Sequence, residues 1–419
     1  MKIKRAGLCA GAIEKYKAFL NKVLDRFEIE LIITLLLVPF LEPQMFKTEQ
    51  FISGDIYFDI LKIISVGLIT ALYIAFCRPS LLIILTAALQ TYIGIATMAN
   101  QGSMTRFLGP AVTMIAMVAI GEISLKFNTK KILFYLKNYL TLLILINMLS
   151  IVLVQFGALD WKCTFLGIDN RWIYFLLPWV IVTFLHSTLQ NGSISRKDWL
   201  VYVIAFMHVI LTWSVGAMIA FAIWPIAWLV LDRVKAGPVR QHGATSSFAL
   251  FSVLNVVLLQ GGLLRLIGPI ISAIFNKDVT LAGRTYLWDT VIECLQANPL
   301  FGRGVQTEAS DIDFFYEQSG EIPACKVNHP HNYALNVAYH GGIVSLILFS
   351  IIYLYSAIGI DRASNRIIKL VLSVSLCSIM TASLIDTLDF SMFHLLIPLC
   401  VRADVLCAKS DASQGNGVE

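Results

Sequence analysis

The chain has 419 residues, of which 57% are hydrophobic and only 14% charged, with a net charge of +5. A soluble fold is excluded by that composition. Stretches of about 18 or more apolar residues recur along the whole length, each long enough to cross a hydrocarbon core of roughly 30 Å. They are too long and continuous for barrel strands, so the fold class is an all-α integral membrane protein.

The first 26 residues are basic, with Lys2, Lys4, Arg5, Lys15, Lys17, Lys22 and Arg26. They read as an interfacial helix on the cytoplasmic side rather than a cleavable signal. Nine spans are then expected over 27–274, near 27–46, 56–76, 80–99, 107–123, 136–157, 172–190, 199–214, 217–232 and 247–274. Glu28, Glu30 and Glu42 leave the first of these only a short apolar core. A large polar loop over 275–333 follows, then three spans over 334–407, near 334–357, 367–385 and 392–407, and a small polar tail over 408–419.

This count of about 12 spans is matched by the charges. Arg78, Lys126 to Lys137, Arg196 and Lys197, Arg233 to Arg240, Arg362 to Lys369, and Arg402 with Lys409 mark every second connection. The alternate connections hold carboxylates such as Glu42, Glu49, Asp55, Asp386 and Asp389. The positive-inside rule then places both termini in the cytoplasm and the loop between spans nine and ten outside. The net positive charge follows from topology and does not argue for nucleic acid.

The outer loop is where chemistry is expected. Arg265, near the outer end of the ninth span, either snorkels or meets a lipid-linked phosphate at headgroup depth. From Thr285 to Ala297, Leu287, Trp288, Val291, Ile292 and Leu295 recur at helical spacing. That pattern predicts an amphipathic helix able to lie on the membrane surface. Arg284 stands at its start, where a guanidinium beside free helix N–H groups suits a diphosphate. An ordinary surface arginine is the plainer reading.

Asn298-Pro299 closes that helix, and Gly302 and Gly304 allow a tight backbone around Arg303. The next segment mixes Glu308, Asp311, Asp313 and Glu317 with Phe314, Phe315 and Tyr316. Such groups suit sugar hydroxyls and ring faces, although a solvated loop is the ordinary reading. Then His329-Pro330-His331-Asn332 leads into the tenth span. His331 at the membrane boundary suits a general base on an alcohol, or a simple cap. No metal site is expected, because His329, His331 and His340 have no suitably spaced carboxylate. Cys163, Cys294 and Cys325 fall outside the membrane, and Cys294 with Cys325 is the natural candidate for a disulfide.

Taken in order, Gly283 to Trp288 (Gly-Arg-Thr-x-x-Trp), Asn298 to Gly304 (Asn-Pro-Leu-x-Gly-x-Gly), His331 to Asn336 (His-Asn-x-x-Leu-Asn) and Gly341 to Val344 resemble the O-antigen polymerase and ligase superfamily. The resemblance implies a cofactor-free, metal-independent glycosyltransferase in a bacterial inner membrane. It implies a glycan moved from undecaprenyl diphosphate at the periplasmic face to an acceptor hydroxyl, with inversion at the anomeric carbon. Arg284 would stabilise the departing diphosphate and His331 would orient or deprotonate the acceptor. Trp288 and Asn332, within the same motifs, and His329, two residues before the third, join the expected substrate-binding residues.

The chain departs from the ligase pattern before the large loop, where Val215 stands in place of an arginine. Arg171, Arg265 or Arg303 is then left to supply the second positive charge. The segment Phe165 to Trp172 is also similar to capsule and exopolysaccharide polymerases. A polymerase acting on a glycan acceptor, with a chain-length regulator as a conceivable partner, is therefore preferred over a ligase acting on lipid A-core. A transporter or flippase of lipid-linked sugars is the reading from a different class. It fits less well, because the ionisable groups Asp59, Lys62, Glu122 and Arg265 lie near span ends rather than at the midplane.

Overall fold

The structure is a computed structural model that describes residues 28–48, 51–160, 164–167, 169–212, 214–233, 241–261, 284–319, 327–384, 386 and 391–415. Among these residues every regular element is a helix and no strand occurs. The helices are α1 (Ile29–Leu37), α2 (Ile52–Phe76), α3 (Leu81–Ala99), α4 (Met104–Ser124), α5 (Thr129–Gln155), α6 (Ile173–Asn191), α7 (Arg196–Thr212) and α8 (Val215–Arg233). They continue with α9 (Gly243–Leu259), α10 (Arg284–Ala297), α11 (Glu308–Ser319), α12 (Tyr333–Asp361), α13 (Arg366–Ser383), α14 (Ser391–Val401) and α15 (Ala403–Gly415).

Every predicted span has a helix in its place, but they are not equivalent. Eight described helices are long and apolar enough to cross a bilayer, or nine if Ser391–Val401 and Ala403–Ser410, bent by 72°, form one span. The shortfall from twelve has local causes. Pro39 turns the end of α1 into a 3-10 turn at Val38–Leu41. The first turn of α7 is spent on Arg196, Lys197 and Asp198. The second half of the predicted ninth span lies outside the described residues, as does most of the N-terminal segment. The polar tail continues as α15 to Gly415.

Helix starts follow the usual chemistry. Ser80, Ser103, Asn128, Asn332 and Asn365 each accept a hydrogen bond from a backbone N–H of the first turn. The buried faces of α4, α6, α13 and α14 form the main core, in which Met117, Val180, Phe184, Val371 and Met392 are fully buried. Much of α2 and α5 instead exposes leucine and isoleucine, as lipid-facing helices do.

Helices α10 and α11 build a second, smaller core. Leu287, Trp288 and Val291 of α10 pack with Phe315 of α11, Leu258 of α9, and Leu335 and Tyr339 of α12. The apolar stripe of α10 is therefore spent on protein packing rather than laid on the membrane surface. The acidic-aromatic segment is a helix, and its Asp311 is fully buried, not solvated.

The connection from α10 to α11 is threaded into a break in α12. Gly341 and Gly342 depart from helical geometry, with Gly342 at φ +64°. A side chain at Gly342 would place its Cβ 2.0 Å from the carbonyl oxygen of Leu300. In that gap Ile343 N–H donates to Pro299 O at 2.8 Å and Arg303 N–H donates to Tyr339 O at 2.7 Å. The same connection reaches the α3–α4 turn, where Ser103 N–H donates to Val305 O at 2.7 Å and Tyr92 Oη donates to Leu300 O at 2.9 Å. Two motifs read separately in the sequence thus form one structural joint.

Candidate active site

The residues between α11 and α12 carry the candidate centre. His331 sits at φ +50°, a backbone conformation uncommon for a residue with a Cβ. Three contacts hold it there. Trp288, buried to 1% exposure, donates its indole N–H to Pro330 O at 2.8 Å. Asn332 accepts from Leu335 N–H at 2.9 Å while its amide donates to Asn255 at 2.6 Å and to Leu384 O at 3.1 Å. His331 Nδ1 lies 3.3 Å from Asp386 Oδ1, a carboxylate just beyond the end of α13.

His329 stands beside it, the two ring centroids 4.1 Å apart. His329 Nδ1 meets Asn328 Oδ1 at 2.6 Å, and Asn328 in turn donates to Glu308 at 3.2 Å. Burial, first, and then the neighbouring His331 imidazole and the guanidiniums of Arg171 and Arg284 push His329 down to about 3, with Asp386 pulling the other way. It is therefore neutral at neutral pH.

Arg284 and Arg171 approach the histidines from different elements. Arg284 opens α10, and burial lowers its basicity against the opposing influence of Asp386 and Tyr174. Arg171 lies in the 3-10 turn Asp169–Trp172 and donates to Gln44. That turn is fastened to the bundle by its neighbours. Asn147 of α5 accepts from Leu166 N–H at 2.9 Å, and Trp172 donates its indole N–H to Gly167 O at 2.6 Å. Both arginines act on one imidazole.

Five predicted residues, Arg284, His331, His329, Trp288 and Arg171, thus fall in one place. Trp288 and Asn332 have roles different from those expected. Asn332 is fully buried and its amide is used within the protein, and the Trp288 indole is engaged beneath the histidine loop, so both position the site. Arg303 is elsewhere: it stacks on Phe314, 4.1 Å from the ring centroid, and reaches Ser310 Oγ at 3.1 Å. Arg265 lies outside the described residues, as do Cys163 and Cys325, and Cys294 is a free thiol. Val215 begins α8.

Sequence reasoning missed Asp386. Charge patterning had put it on the outer side, together with the loop, but only the fold joins it to a histidine 55 residues earlier. The argument from missing carboxylate spacing therefore does not hold. Ligand atoms of His329, His331 and Asp386 lie within 4.8 Å of one another, a donor set that a cation could use. Two guanidiniums acting on the same imidazole make the surroundings positive, which favours an anion there.

Two comparisons with known proteins bear on part of the chain. The family model described as O-Antigen ligase matches residues 200–350, from α7 through the loop and the Gly341-Gly342 break. The exopolysaccharide production protein ExoQ of Rhizobium meliloti (strain 1021) is 33% identical over 89 residues. That match covers 20% of this chain and spans only 20% of the relative's length. Through residues 200–350 the chain is thus similar to the family described as O-Antigen ligase, and over a shorter stretch to a protein of exopolysaccharide production.

Proposed function

We propose that the protein is a polysaccharide polymerase that transfers glycan from undecaprenyl diphosphate to a sugar hydroxyl at the periplasmic face of a bacterial inner membrane. The observation that carries this reading is the His331–Asp386 contact beside Arg284 and Arg171. With its hydrogen on Nδ1 and donated to Asp386, His331 keeps Nε2 as a proton acceptor. An acceptor hydroxyl placed there loses its proton to Nε2 as its oxygen bonds to the anomeric carbon. The bond from that carbon to the diphosphate oxygen breaks, and the negative charge moves onto the diphosphate.

Arg284 and Arg171 receive that charge. Diphosphate needs no proton to leave, so the second carboxylic acid of a glycosidase has no role. Guanidiniums fixed in a partly dehydrated site stabilise the third negative charge that develops on the departing diphosphate more strongly than they would in water. Direct displacement of this kind inverts the anomeric configuration.

Polymerase is preferred over ligase because Arg171, rather than an arginine at Val215, completes the positive pair, and because ExoQ is named for exopolysaccharide production. The name of the family model keeps transfer to lipid A-core as the second reading. The test is reconstitution with undecaprenyl-diphosphate-linked repeat units, with and without lipid A-core. A ladder of lengthened lipid-linked products without lipid A-core is expected. Product only on lipid A-core would replace the polymerase with the ligase.

A further inference from the structure

Arg303 belongs to a second cavity, of about 390 Å³, at the far end of α10. Its lining includes Asn100 at the end of α3, Thr290 and Glu293 on α10, Asn298 and Arg303 in the threaded connection, and Phe314 on α11. Thr290 is already about 9 Å along the helix axis from Arg284, and the cavity extends away from it. The volume falls in the range of small-molecule sites.

The lining mixes polar groups with apolar surface and is nearly neutral. One guanidinium and one carboxylate accompany two amides and a hydroxyl, and Phe314 supplies an apolar ring. A phosphate would gain from Arg303 but lose to Glu293, whereas a sugar ring uses both. Planar amide, carboxylate and guanidinium groups take adjacent hydroxyls in pairs. The ring face suits the apolar side of a pyranose.

Arg303 is held for such a role. Its backbone N–H is fixed to Tyr339 O, its Nη2 to Ser310, and its plane to Phe314, yet its buried Nε has no partner among the described residues. Glu293, by contrast, is exposed.

We propose that this cavity is a saccharide subsite that holds glycan units remote from the bond being made, and so favours long chains over short ones. The proposal rests on the glycosyl-transfer reading. The subsite binds sugar alone, independently of the diphosphate.

The test uses the full chain in lipid nanodiscs with two separate probes. One is labelled oligosaccharide released from the host's lipid-linked repeat units, and the other is bare undecaprenyl diphosphate. Two variants are compared, Glu293→Ala and Ala297→Trp, the second filling the cavity from an exposed position. Expected is a loss of oligosaccharide affinity of ~10-fold or more in both, with undecaprenyl diphosphate binding unchanged. In transfer assays the KM for long acceptors should rise while kcat on a single-unit acceptor stays at the wild-type value. Oligosaccharide affinity equal to wild type in both variants would overturn the subsite. Wild-type protein that binds the oligosaccharide but not bare undecaprenyl diphosphate would uphold the subsite and remove the donor reading instead.

Discussion

His331 Nδ1 and Asp386 Oδ1 are 3.3 Å apart, although 55 residues and two helices separate them in the chain. The contact gives the imidazole a defined orientation and leaves Nε2 for the acceptor. Replacing His331 by Ala should lower kcat by about 10²–10⁴-fold. Asp386→Asn should lower kcat by ~10-fold or more with little change in donor KM, because it upsets the tautomer and not the diphosphate contacts. A kcat near wild type for Asp386→Asn, with expression preserved, would contradict the assignment.

Arg284→Lys keeps the charge and loses the planar fork. Since a guanidinium can take a diphosphate through two parallel hydrogen bonds, the substitution should still reduce kcat, by about 10–10³-fold. Arg171→Ala is expected to show a smaller loss, in keeping with its greater exposure. Steady-state kinetics with purified lipid-linked donor distinguishes the two.

Neutral His329 should leave a trace in stability. Its folded value, about 3, lies below the ordinary 6.5, so between these limits the unfolded chain binds a proton that the fold does not. Stability contributed by His329 is therefore fully present above pH 6.5 and declines as pH falls toward 3. Asp311, held above its ordinary value by burial, works in the opposite sense, so the comparison must be made against His329→Gln. Melting curves between pH 7 and pH 4 should fall more steeply for wild type than for the variant. Parallel curves would contradict the account.

Arg106 and Asp311 pair across the joint between α4 and α11, with Tyr339 donating to the same carboxylate at 2.8 Å. Arg106→Ala would leave Asp311 buried with reduced compensation. The expected loss is ~2–3 kcal/mol, below that for a fully buried pair because a third of the Arg106 side chain is exposed. Chemical denaturation in detergent measures it, and a loss near zero would mean that the carboxyl group is already neutral.

Gly342→Ala should be far more damaging, since the new Cβ would fall on Leu300 O at a φ of +64°. Gly67 is the control: it is helical, an added methyl there would meet nothing within 4 Å, and its change to Ala should be neutral or mildly stabilising. Thermal melting of the two variants tests whether the connection truly sits in the α12 break.

Local features were legible in the sequence and long-range ones were not. Leu287, Trp288, Val291 and Leu295 announced α10 by their spacing, and Arg284 and His331 stood out as polar groups at helix starts. Spacing cannot say what an apolar stripe faces: it allows α10 to lie on the membrane surface, whereas the helix packs against Leu258, Phe315 and Leu335. Asp311 and Asp386 were legible only as acidic residues. Their partners, Arg106 and His331, arrive through helix packing, which leaves no periodic mark. Span counting and helix length diverge at α1 and α9, short helices with apolar composition, and at α7, whose first turn is charged.

The most direct test of the central claim is a single-turnover reaction of the reconstituted full chain with undecaprenyl-diphosphate-linked repeat units. Release of undecaprenyl diphosphate and formation of the glycosidic bond are followed together. Wild type should release one undecaprenyl diphosphate per bond formed, and His331→Ala should do neither while still binding the donor. Transfer that survives in His331→Ala at the wild-type rate, or no transfer by wild type where a control polymerase succeeds with its own donor, would contradict the account.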